Sequence, residues 1–575
     1  MRKAKKATSI LMALAMAFGM TACGGGGDSG KTKIRIMNFG GGVGRVWLDE
    51  ACERFAKANQ ETVFEEGKQG VEFEIEHNIN TNVSTMKSAG YNIYFDEKSG
   101  SIASLARNES LLQINDVFSA VVDGETVESK LDQSALNSAK GDDGNYYAIP
   151  FETWYPGVTY DRDLFTRKNL FFAAPNEENA VTFTSGLTGK TYHFVSNATA
   201  KRSCGIDGVY SENNEDGASD DGLPTSIEEL IVLCERMNKM GVTPFTYAGA
   251  SMHYVNYLTG ALWASLSGYE QMRTAYDLSG TVEVVTDYQD ESVFSGLAKF
   301  KKPNTEMKNF TEAEGYYASR SVNRYYALAF LEAATAQNWF TTSSSTGTAT
   351  HIDTQENFIW SGYSGKEEIG MLIEGNYWYN ESVINFTFED FYENNPTVQE
   401  RQLAWMPLPV QLEGTIEEGN GKIYTLLDTA DAFAFLNKNM EGKDGLIDAC
   451  KKFLIFLNTD EELSKYTGCT GIVRNNNYTV SQEDYDKMSY FQKTVFDRAK
   501  SNTTKIVYCS SDCNTFNSNK DTFRISTAGR YMEPKVDGTT YGTFVSAFRA
   551  GKTARQAFES TAYTSTEWLS IYKGE

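Results

Sequence analysis

Three short runs decide the fold: Lys33-Ile34-Arg35-Ile36-Met37, then Val71-Glu72-Phe73-Glu74-Ile75-Glu76, then Tyr91-Asn92-Ile93-Tyr94-Phe95. The first reads as a strand, and Gly40 to Gly44 breaks it. Arg45 to Asn59 reads as a helix, because Val46, Trp47, Ala51, Phe55 and Ala58 fall near one face. The second run alternates apolar and Glu residues, the period of a half-buried strand. A helix around Asn82 to Ser88 leads into the third. Strand–helix–strand–helix–strand predicts an α/β chain built on a parallel sheet with right-handed crossovers.

Upstream, Arg2, Lys3, Lys5 and Lys6 precede the apolar run Ile10 to Met20, and small residues lead to Cys23. This order reads as a secretory signal peptide over residues 1–22. It is shorter than the roughly 20 apolar residues that a spanning helix needs. Thr21-Ala22-Cys23 resembles a lipobox, with Met20 standing where lipoproteins more often carry Leu. That resemblance implies a Cys23 that is acylated and becomes the mature N-terminus. Residues 23–30 are glycine-rich and read as a flexible tether. The expected location is the extracytoplasmic face of the cell membrane, with the chain held there by its lipid anchor.

Gly25, Gly30, Lys31 and Thr32 match the phosphate-loop pattern G-x-x-x-x-G-K-[ST]. That motif needs a strand before it and a helix after it, and here the strand Lys33 to Met37 follows instead. The match is a property of the tether.

The chain has 53 basic and 76 acidic residues. Removing residues 1–22 takes four basic residues and no acidic ones, leaving 49 against 76 and a net charge of −27. So acidic a surface repels nucleic acid and anionic headgroups. Beyond Cys23, the cysteines are Cys52, Cys204, Cys234, Cys450, Cys469, Cys509 and Cys513. An odd, thinly spread set is no disulfide framework. Cys509 and Cys513 are close enough to bridge locally, and the others read as buried apolar side chains. No H-E-x-x-H or G-x-S-x-G occurs, and the four histidines, His77, His193, His253 and His351, are isolated. No motif marks the chain as an enzyme.

Tyr146 to Pro150 and Val158 to Asp161 read as short strands, and residues 166–223 as an irregular insertion. Thr225 with Glu228 reads as a capping box before a helix that runs to about Met240. Val242 to Phe245 is a further strand, helices dominate 252–340, and Thr459 with Glu462 caps a late helix.

This order resembles the extracellular solute-binding proteins that deliver carbohydrates to ABC importers. The resemblance is carried by Tyr147-Ala148-Ile149-Pro150, Tyr160-Asp161-Arg162-Asp163-Leu164-Phe165, and Leu223-Pro224-Thr225-Ser226-Ile227-Glu228-Glu229-Leu230. It continues through Gly241-Val242-Thr243-Pro244-Phe245, Gly375-Asn376-Tyr377-Trp378 and Pro407-Leu408-Pro409. It implies a two-lobed periplasmic-binding-protein-like fold of type II, with a multi-strand hinge and the ligand in the cleft. The first lobe would hold 31–155 with a return segment near 385–436. The second would hold 156–384 and 437–575. It also implies ABC permease subunits as partners. The alternative function is a surface glycoside hydrolase or other sugar-acting lipoprotein.

A sugar presents apolar C–H faces ringed by hydroxyls, so its site needs aromatic platforms beside carboxylate, amide or guanidinium groups. Glu152, Trp154 and Tyr155 follow one strand; His253 and Trp263 follow another; Asn376 and Trp378 follow a third. Asn38 and Phe39 open the glycine loop, and Asp96 and Glu97 close the third strand. Asp428 and Arg474 complete the candidates. Each aromatic also has a reading as core. Asp207, Asp216, Asp220 and Asp221 lie in an acidic loop whose oxygens suit a structural calcium ion or simply solvent, and the spacing is not that of an EF-hand. No other cofactor is expected.

Overall fold

The three opening runs form neighbouring strands. Val71–Asn78, Thr32–Phe39 and Ile93–Asp96 run parallel, with Ile36 opposite both Ile75 and Ile93. The computed structural model describes residues 30–78, 83–97, 102–174, 177–203, 222–289, 302–414, 423–430, 432–508 and 530–573. Two further strands complete this first sheet. Phe433–Leu436 lies antiparallel to Ile93–Asp96, and Ala148–Pro150 flanks it on the far side. Helix Val46–Ala58 buries Trp47, Leu48, Ala51, Cys52 and Phe55. Phe55 packs edge-on to Phe453 of the late helix Asp444–Phe456.

A second sheet has the order Thr243–Thr246, Ile369–Gly375, Pro156–Asp161, Leu403–Trp405. Ile369–Gly375 runs parallel to the first of these and antiparallel to the third, and all seven of its residues are buried. Helix Ile227–Lys239 and helix Met252–Asp277 belong to this second body. Each sheet thus gathers its own helices in the two-lobed α/β arrangement, while one buried cluster runs from Ile34 and Phe55 in the first body to Phe245 and Ile373 in the second. Among the described residues, no helix is long and apolar enough to cross a membrane.

The chain crosses between the sheets from Ala148–Pro150 to Pro156–Asp161, and it returns to the first sheet at Phe433–Leu436 from Tyr424–Asp428, a strand that pairs with Thr504–Tyr508 in a separate two-stranded sheet. The two crossings are tied together. Thr429 N donates to Trp154 O at 2.9 Å, Phe151 N donates to Ala432 O at 3.2 Å, and the Asp428 carboxylate accepts Trp154 N at 2.9 Å. The Thr153 hydroxyl donates to Val473 O, on a third passage.

Several expectations need correction. The return to the first sheet is shorter than 385–436, because Leu403–Trp405 pairs with Pro156–Asp161 in the second sheet. The first body in turn takes helix Asp444–Phe456, assigned above to the second. Sheet membership is decided by pairing across hundreds of residues, which local pattern does not carry. The helix at 227 is capped by Ser226, one residue later than expected. Its hydroxyl accepts Glu229 N at 3.1 Å, while Thr225 N and Oγ1 donate to the Glu229 carboxylate at 2.8 and 2.7 Å. Region 252–340 contains a hairpin, Gly280–Asp287 with Asn304–Phe310, in which buried Val282 and Val284 flank Glu283. The 166–223 stretch likewise contains the hairpin Val181–Thr184 with Thr191–Phe194. The Thr459 cap is present, its hydroxyl accepting Glu462 N. Cys23, Cys204, Cys509, Cys513, Asp207, Asp216, Asp220 and Asp221 lie outside the described residues.

Candidate functional site

Strand ends of the two sheets face each other across the crossings, and side chains from both bodies meet there. The first sheet contributes the loop after Thr32–Phe39. Asn38 is buried and serves this loop as a brace, its Nδ2 donating to Phe39 O at 2.8 Å and Gly44 O at 3.3 Å. Phe39 is also buried, with its ring against Gly41. Gly42 has φ +56°, and a Cβ there would fall 2.6 Å from a Glu97 carboxylate oxygen. Glycine therefore answers both a left-handed backbone and a close approach. Gly42 N donates across the gap to Glu381 Oε1 at 3.2 Å, on helix Trp378–Ile384 of the second body.

Glu97 and Glu152 follow the strand ends of Ile93–Asp96 and Ala148–Pro150, and both are buried with Asp96. Burial, then the neighbouring Glu152, Glu381 and Asp96 carboxyls, hold the Glu97 proton well above the ordinary carboxylate range. Burial also raises Glu152, against hydrogen bonds and the Arg474 charge that favour its ionised form. Glu152 accepts the Trp154 indole N–H at 2.9 Å and the Tyr466 hydroxyl at 3.0 Å. From the second body, Glu374 is pushed up by burial and by Glu381. Gln355 Nε2 bridges these two acids at 3.2 and 3.0 Å.

Aromatic rings line one side. Trp154 is half-buried and meets Tyr377 at 4.9 Å between ring centroids. The Tyr377 and Tyr257 hydroxyls are 2.7 Å apart, and Tyr254 lies 5.5 Å from Tyr257 and stacks on His351 at 6.4 Å. His253 starts the same helix and is half-buried. Hydroxyl pairs, carboxyls and rings thus stand together where the two bodies meet, the kinds of group that suit a polyhydroxylated ligand.

The remaining candidates play other parts. Trp378 is buried in the second body's core, its indole N–H donating to Thr159 Oγ1 at 2.9 Å. Trp263 is buried in the helical region and donates to Ser321 Oγ at 3.2 Å. Tyr155 joins the same core as Trp378. Asn376 staples the hinge, its Oδ1 accepting Tyr155 N at 3.0 Å and its Nδ2 donating to Thr153 O at 3.2 Å. Asp428 accepts Trp154 N and Ala430 N, both at 2.9 Å. Arg474 lies behind Glu152, over the Tyr466 ring at 5.2 Å. These residues flank the cleft in sequence, but packing turns them inward. Glu374, Glu381, Gln355 and Tyr257 were missed. Glu374 alone left a trace, as the single acid closing an apolar strand.

Burial pushes both Asp428 and Glu229 up to about 7. A carboxyl whose folded pKa exceeds its unfolded value binds more protons when folded. Its contribution is complete below the unfolded value, near 4, and is lost as pH rises through 7. The midpoint of thermal unfolding is therefore expected to fall between pH 5 and pH 8. A midpoint that rises over that range would contradict the assignment.

No protein-family model matches the sequence, and no curated protein matches it. Solved structures do. RafE from Streptococcus pneumoniae, in its apo form, superposes with a TM-score of 0.51 at 12% identity, over 95% of this chain and 99% of RafE. A structure from work on xylan utilization by the thermophilic bacterium Caldanaerobius polysaccharolyticus gives 0.50 at 13% identity, over 92% of this chain and 99% of that one. The chain has their fold.

Proposed function

We propose that this chain is the lipid-anchored binding subunit of an ABC importer, capturing an oligosaccharide between its lobes and delivering it to membrane permease subunits. The observation that carries the reading is the contact between residues that follow the strand ends of the two sheets. There the Gly40–Gly44 loop, Glu97, Glu152 and Trp154 of one body meet Glu374, Tyr377 and Glu381 of the other. RafE, alike in fold, has been solved with raffinose. Closure would be driven by a ligand that touches both lobes, since only differential contact shifts such an equilibrium. The lipid on Cys23 would keep the capture module beside its permease on the extracytoplasmic face.

Calorimetry against raffinose and xylo-oligosaccharides, with product analysis, tests this. Saturable binding without turnover is expected, whereas released product would move the chain to the glycoside hydrolases. Trp154→Ala is expected to weaken binding about 30-fold, the loss of one aromatic anchor of about 2 kcal/mol. Unchanged affinity would remove Trp154 from the site. Palmitate labelling that persists in a Cys23→Ala variant would refute the anchor.

A further inference from the structure

The loop Gly40 to Gly44 of the first lobe rests against a helix of the second, and two of its glycines carry that contact. Gly44 has φ +74°, and a Cβ built on it would lie 2.6 Å from Ile384 Cδ1 and 3.3 Å from Ile384 Cγ1. The isoleucine thus fills the space that a side chain at 44 would need. One turn earlier on the same helix, Glu381 Oε1 accepts Gly42 N at 3.2 Å. Residues three apart share a helix face, so Glu381 and Ile384 of Trp378–Ile384 meet the loop as one surface.

Both halves are held in shape within their own lobes. In the first, Gly44 N donates to Gly41 O at 3.1 Å, and the Asn38 amide holds Phe39 O and Gly44 O. In the second, Gln355 is buried. Its Nε2 donates to Glu381 Oε2 at 3.0 Å, and its Oε1 accepts the Ser382 hydroxyl at 3.0 Å. That leaves Glu381 Oε1 facing Gly42. Groups already fixed lose little conformational freedom when they meet. Ile384 is still 38% exposed, beside Val383 at 38% and Phe386 at 54%. Parting the lobes would bare more of an already apolar rim, which water opposes. Protein atoms make both contacts, so they favour closure whatever the cleft holds.

We infer that the glycine loop and helix Trp378–Ile384 form a clasp that draws the two lobes together ahead of ligand. A sugar would then select a closed arrangement that the chain already visits, and apparent affinity would follow the fraction closed. The clasp itself rests on the two-lobed fold; its link to affinity rests on the saccharide reading.

Single-molecule energy transfer on the full chain without its signal peptide tests this. Fluorophores are carried on azide-bearing residues placed at Lys57 of the first lobe and Lys366 of the second, both exposed. A population with the lobes together is expected before any sugar is added. Ile384→Ala is expected to lower the ratio of closed to open lobes about 3- to 10-fold, the worth of one or two methyl groups. Glu381→Ala is expected to lower it about 10-fold, the worth of one charge-assisted hydrogen bond. Gly44→Ala strains the backbone equally in both arrangements. It should lower the ratio in the parent and change it little beside Ile384→Ala, because the two substitutions break one contact. A parent found only with its lobes apart, or a ratio unmoved by Ile384→Ala and Glu381→Ala alike, would overturn the clasp. Raffinose and xylo-oligosaccharides are added last. Closed lobes that appear only with sugar overturn the clasp and keep the saccharide reading. Sugars that leave the ratio unmoved, while the variants move it, count against that reading and leave the clasp standing.

Discussion

Trp378→Ala is expected to destabilise the protein by about 3–5 kcal/mol, the cost of emptying a fully enclosed tryptophan site. The ring is 0% exposed and touches Phe491 at 5.4 Å, Phe358 at 6.0 Å and Phe388 at 6.1 Å between centroids. Its indole N–H also satisfies Thr159 Oγ1, which would be left buried without that donor. Urea unfolding measures the loss. A change below about 1 kcal/mol would mean that the ring stands at the cleft after all. The contrast with Trp154→Ala is the useful part: the same substitution should cost stability at 378 and sugar affinity at 154.

Arg401→Met should cost a similar amount by a different route. Arg401 and Asp161 form an ion pair at 2.6 Å, with side chains 1% and 0% exposed. Asp161 also accepts Leu164 N at 3.0 Å and so caps helix Arg162–Arg167. Arg401 reaches Ile359 O and lies over the rings of Tyr363 and Phe391. Removing the guanidinium strands a buried carboxylate, which costs about 3–5 kcal/mol. Burial already raises the Asp161 pKa, against the Arg401 charge. The penalty should therefore shrink as pH falls and Asp161 takes up a proton, and Asp161→Asn in the same chain should recover much of it. A penalty equal at pH 4 and pH 8 would refute the electrostatic cause.

Pattern within a dozen residues carried a large part of the fold. The period-2 alternation of Val71 to Glu76 and the apolar face of Val46 to Ala58 depend on neighbours in sequence, so strands and helix stand close to where they were expected. The same logic found the Thr459 cap. It failed at Gly280–Asp287, where a short valine-bearing strand sits between helices and only its partner Asn304–Phe310 makes it a hairpin.

The site divides along the same line. Glycines after a first strand and acids closing strands mark which ends carry polar chemistry, and that much is a local property. Trp154 and Trp378 both follow strand ends beside polar residues, and sequence offers nothing to separate them. In the folded chain, one indole bonds Glu152 at the cleft and the other bonds Thr159 inside a core. Gly42 meets Glu381 across 339 residues of chain. Composition and the succession of the opening strands and helix were legible in sequence alone, because short-range sterics and hydrophobic periodicity act between neighbours. Which carboxyls face one another, and which aromatics are left to face a ligand, was settled only by closure of the tertiary structure, because burial and charge act between groups that the chain holds far apart.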